Sequence, residues 1–127
     1  MENLNITKRS RKDSITDKEL YLFAQSNPNI QKEKCHINAI LVKEWLGTNA
    51  KIIIGHATLV ENGIKRRVKN HLWNKYEPNL ADAQLIDIEN FLPNSKRKYI
   101  EHDGVELKLH DYMQDVLSSY EESKITN

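Results

Sequence analysis

The chain holds a single cysteine, Cys35, among 127 residues. An internal disulfide is therefore excluded, and a reducing compartment fits. Four glycines are too scattered to form a glycine-rich phosphate loop. One cysteine and five histidines show no CxxC or HExxH spacing, which predicts no metal and no cofactor. The formal net charge of +1 gives no global field that would gather nucleic acid or an anionic membrane. No apolar run approaches the roughly 20 residues of a membrane span. The basic start, MENLNITKRSRKD, has no apolar stretch behind it and does not read as a secretory signal. The expected location is the cytoplasm, or a destination reached without a classical signal peptide.

What is present is ordinary for one globular domain, with 39% hydrophobic and 29% charged residues. The pattern predicts a polar, basic arm over 1–14, a single domain over 15–119 and a frayed tail over 120–127. Thr16 and Glu19 have the spacing of a capping box, and Leu20, Phe23 and Ala24 follow at helical period up to the break at Pro28. A second helix is expected over about 34–46. It is apolar nearly all round, as a buried helix is, and Gly47 stops it. KIIIGHATLV and IKRRVKNHLWN flank Asn62-Gly63 and read as an antiparallel hairpin. Regular alternation on the second of these strands puts Val68 on the face opposite His71 and Trp73. AQLIDIENF reads as a third strand, carrying Asp87, and a short fourth is expected around His102–Val105. Leu109, Tyr112, Met113, Val116 and Leu117 mark an amphipathic C-terminal helix. The class is α+β, a buried helix packed on a sheet of three or four antiparallel strands.

One order of residue types points to chemistry. Cys35 opens the buried helix, where the macrodipole favours a thiolate. His71 lies on a later strand, and Asp87 follows 16 residues on. A thiol, a base to take its proton and a carboxylate to orient the base are the parts of a covalent acyl-transfer site. His56 is a rival base, but no carboxylate follows it closely. His36 points about 100° around the helix from Cys35. Asp82 competes with Asp87. For the oxyanion, Gln31 and the backbone N–H of Cys35 are both candidates.

The strings Cys35-His36-Ile37-Asn38-Ala39, Gly55-His56-Ala57, His71-Leu72-Trp73-Asn74 and Ile86-Asp87 resemble small papain-like cysteine hydrolases. The order is that of the transglutaminase-like and arylamine acetyltransferase branches, and it spans roughly residues 31–92. Lys34 stands where many of these enzymes have glycine before the nucleophile. The resemblance implies a minimal papain-like core with Cys35, His71 and Asp87 as the triad and with Asn38 in a recurring position three residues after the nucleophile; beside it, Gln31 and Trp73 are read from the residues themselves as oxyanion or substrate contacts. It also implies peptidase, amidase, glutamine deamidase or transglutaminase chemistry on a protein or peptide. The alternatives are a non-catalytic interaction module and, behind it, a nucleic-acid binder using Lys65, Arg66 and Arg67. Three charges beside a hairpin turn more often guard a sheet edge.

Overall fold

A computed structural model describes residues 13–107. The basic arm up to residue 12, the expected C-terminal helix and the tail lie outside the described residues. Helix α1, Asp17–Ser26, starts on the expected capping box. The Thr16 hydroxyl accepts the Glu19 N–H at 3.2 Å, and the Glu19 carboxylate accepts the Thr16 N–H at 2.9 Å. It buries only Leu20 and Ala24 and ends at Asn27, before Pro28. Helix α2, Cys35–Leu46, buries Asn38, Ala39, Ile40, Val42 and Leu46. Gly47 closes it at φ 84°, a left-handed conformation that glycine adopts without a Cβ penalty, and its N–H reaches the Lys43 carbonyl. Among the described residues no helix is long and apolar enough to cross a membrane.

Four strands follow: β1 Ala50–Glu61, β2 Ile64–Tyr76, β3 Gln84–Ile86 and β4 Arg97–Glu106. They form one antiparallel sheet in the order β3-β2-β1-β4. The hairpin turns at Asn62 and Gly63, both at positive φ, as a two-residue turn matched to strand twist requires. The third strand is shorter than expected, because the chain leaves the ladder at Ile86 and winds into a 3₁₀ turn over Ile88–Phe91. Asp87 thus sits just past β3 rather than within a strand. The fourth strand is longer than expected and pairs with β1 from Ile53 to Glu61. Between the helices and the sheet, Leu20, Ala24, Val42, Leu46, Ala50, Tyr76, Ile86 and Ile88 form one cluster, while Ala39, Ile40, Ile52 and Leu72 form the next. Each such side chain, fully buried, stabilises the fold by about 1.5–3 kcal/mol, less for alanine.

Both neighbours of β1 carry an extra residue at the same level. Gly55 pairs with His71 and Ala57 with Val68, so β2 uses three residues where β1 uses two. His56 pairs with Asp103 and Thr58 with Ile100, so β4 does the same. The surplus is taken up at Asn70 (φ 56°) and Glu101 (φ 53°), and Arg67 pins the second bulge by donating to the Glu101 carbonyl at 3.0 Å. The bulge corrects the expected alternation. Val68 packs with Ala57, Leu59 and Tyr99, and His71 stacks on that same Tyr99. Gly55 and Gly104 face each other at this level. A side chain on either would collide with backbone of the other strand, so glycine sets the close approach of β1 and β4.

Candidate active site

Helix α2 presents Cys35 at its first turn, with no side chain capping that end and no acid in the turn. The positive end of the macrodipole therefore faces the thiol directly. Cys35 is half-buried, its one edge packed with Ile37 and Ile54 around the Leu72 cluster. The Cys35 thiol lies near enough to the His71 ring to interact with it and to help raise its pKa. His71 is 2% exposed, and its Nε2 lies 2.7 Å from Asp87 Oδ2. A carboxylate can only accept, so Nε2 carries the proton, which leaves Nδ1 as the nitrogen that serves the thiol. Burial alone pushes His71 below its ordinary value. The hydrogen bonds and charges of Asp87 and Cys35 outweigh it and hold the ring up at about 9.

The short turn after β3 braces both sides of this pair. Asp87 at its start orients His71. Two residues on, Glu89 is 1% exposed, takes the Glu33 N–H at 3.1 Å and holds Arg97 Nε at 3.1 Å. Glu33 lies two residues before the thiol at φ 64°, so the loop into α2 depends on that buried carboxylate. Burial pushes the Glu89 carboxyl above the usual range despite Arg97 beside it. Arg97 also reaches Glu61 at 3.0 Å and the Tyr99 hydroxyl at 3.1 Å.

The other candidates are placed differently. Gln31 is exposed, and its side-chain amide donates to the Pro28 carbonyl at 3.1 Å. Asn38 is buried and brackets the Gln31 backbone, donating to its carbonyl at 2.8 Å and accepting its N–H at 3.2 Å. The two therefore shape the loop before Cys35. Asn74 ties β2 to α2, donating to the Ala39 carbonyl at 3.0 Å. Trp73 lies 5.8 Å from the His71 ring. His56 and Asp82 are exposed. His36 is lowered by burial first and then by the charge of His71.

One residue at the site has no forerunner in the sequence reading. His102, on β4, puts its Nε2 2.8 Å from the same Asp87 Oδ2 that holds His71. Its side chain is 6% exposed and meets Trp73 edge-on at 4.7 Å. Each of the two histidines directly follows a bulge residue, Asn70 or Glu101, and a bulge re-aims the side chain beside it. The donor atoms of His71, Asp87 and His102 lie within 4.8 Å of one another and could hold a metal ion. In this arrangement both ring nitrogens are already aimed at one carboxylate oxygen. A cleft of about 350 Å³, lined by Lys51, Ile53, Trp73, Leu85, His102 and Gly104 among others, meets the site at Trp73 and His102 rather than at the thiol.

Compared with protein-family models, curated proteins and solved structures, the chain matches none.

Proposed function

We propose that the chain is a papain-like thiol enzyme that transfers acyl groups from an amide or thioester of a protein or peptide. The observation that carries this reading is one line of groups: a thiol at an uncapped helix start, a buried imidazole near enough to interact with it, and a carboxylate 2.7 Å from the ring's Nε2. A ring held up at about 9 is protonated at neutral pH and stabilises a thiolate beside it.

The chemistry follows from those positions. The Cys35 sulfur attacks the carbonyl carbon and forms a C–S bond. The oxyanion is met by the backbone N–H of Cys35 at the start of α2. His71 passes its Nδ1 proton to the leaving amine as the C–N bond breaks, then takes a proton from water or an acceptor amine that attacks the thioester. The thiol is regenerated, and the product is an acid or a new amide. A half-buried thiol at the end of a helix suits an extended peptide or a glutamine side chain, which reaches it from the surface.

Intact mass after incubation with peptidyl vinyl sulfones and chloromethyl ketones tests this. The wild type is expected to gain one adduct, Cys35→Ser none, and His71→Ala one formed much more slowly. If no probe attaches to the folded wild type, the chain is an interaction module on this scaffold and the enzyme reading is lost.

A further inference from the structure

Two imidazoles converge on a single oxygen of Asp87, from strands that are not neighbours. His71 comes from β2 and His102 from β4, with β1 between them, and Gly55 lets β4 approach β1 closely at that level. We propose that His102 is a positioning residue for the acyl-transfer reaction, acting through Asp87 to keep the carboxylate trained on His71; this rests on the reading of the site as a thiol acyl-transfer centre. A carboxylate with one partner can turn about its last torsion and offer either oxygen, or lean toward water in the cleft. A second N–H donor from a separate strand removes that freedom.

The burial of His102 argues against a packing role. Its side chain is 6% exposed and touches Trp73, a place that phenylalanine or leucine would fill without desolvating a polar ring. The structure instead uses a strained backbone at Glu101 to bring an N–H onto Asp87. The ionisable groups gathered here are Cys35 and His36 from α2, His71 from β2, Asp87 and Glu89 from the turn after β3, and Arg97, Tyr99 and His102 from β4. Of these, His71 and His102 hold Asp87 Oδ2.

The test uses the full chain with three substitutions at one position. His102→Gln keeps an N–H at a similar reach, while His102→Phe and His102→Leu fill the space and donate nothing. Two quantities are read in each: the rate of Cys35 adduct formation with a peptidyl vinyl sulfone, and the titration midpoint of the His71 ring by imidazole NMR. Phe and Leu are expected to slow the adduct about 10- to 100-fold, the scale of one charge-assisted hydrogen bond, with Gln within about threefold of wild type. The His71 midpoint is expected to fall by roughly one unit or more in Phe or Leu and to return in Gln. A folded Phe or Leu variant with wild-type rate and midpoint overturns the proposal. So does a midpoint that rises, or a Gln variant as impaired as Leu. If wild-type Cys35 takes no adduct, the acyl-transfer reading fails by itself, and the His71 midpoint still decides whether His102 fixes Asp87.

Discussion

At the scale of single residues, the proton on His71 has a consequence for stability. Its folded value of about 9 stands above the 6.5 of an unfolded histidine. The associated stabilisation is therefore fully present below about pH 6.5 and is lost as pH rises toward about 9. A thiolate beside an imidazolium carries the same single proton as a thiol beside a neutral ring, so Cys35 masks the effect. In Cys35→Ser no thiol titrates. Because Cys35 supplies part of the raise, the unfolding free energy of that variant should fall as pH rises above 6.5 but level off short of 9, by less than about 3 kcal/mol. Adding Asp87→Asn should flatten the curve, and adding Asp82→Asn, in the exposed loop, should leave it unchanged. A flat curve for Cys35→Ser alone would refute the pairing. Cys35, His71 and Asp87 were legible because the order thiol, base, carboxylate survives without knowledge of the fold. His102 was not. It stands 15 residues past Asp87 with no motif around it, and its aim comes from a positive φ at a glutamate, which no local rule announces.

At the scale of elements, the turn Ile88–Phe91 and its cap Asp87 do two jobs with two carboxylates, and substitution at Glu89 separates them. Glu89→Gln keeps an oxygen for the Glu33 N–H but removes the charge facing buried Arg97. It should cost about 3 kcal/mol, the low end for a broken buried pair because Glu61 stays on Arg97, and Cys35 should still label at nearly the wild-type rate. Glu89→Ala should lower both stability and labelling, since the loop at Glu33 then loses its anchor. Chemical denaturation and iodoacetamide kinetics check the pair, and equal labelling in the two variants would remove Glu89 from the positioning of the thiol. The helices and the hairpin could be read directly, because capping box, Gly47 and Asn62-Gly63 are local chemistry. The end of β3 could not. AQLIDIENF is apolar enough for a strand, and only its distant partners Glu33 and Tyr99 account for the turn into 3₁₀ geometry: Glu89 takes the Glu33 N–H, and the Asn90 side chain both accepts from and donates to the Tyr99 backbone.

At the scale of the whole molecule, the connection from Asp87 to Lys96 leaves one edge of the sheet and rejoins it at the other. Composition fixed only what the chain is not, and the α+β order of elements followed from periodicity. The pairing of β4 with β1 had no sequence signal, because its contacts reach across some 40 residues. That distance has a meaning in time. The β1–β2 hairpin closes over a two-residue turn, whereas β4 must find β1 after a long loop, and non-local pairings form late. Cys35 and His71 then exist in folded neighbours before His102 and the Arg97 that steadies Glu89 arrive. A refolding chain should pass through a stage in which hairpin amides are already protected from exchange while the thiol is still sluggish. Pulsed hydrogen exchange run beside pulsed alkylation should find fast labelling only in the phase that protects β4. Fast labelling in the hairpin phase would mean that the thiol is primed without the last strand. On the proposed reading, the final strand to dock is the one that primes the thiol, and a chain caught halfway to its native state is expected to carry a quiet one.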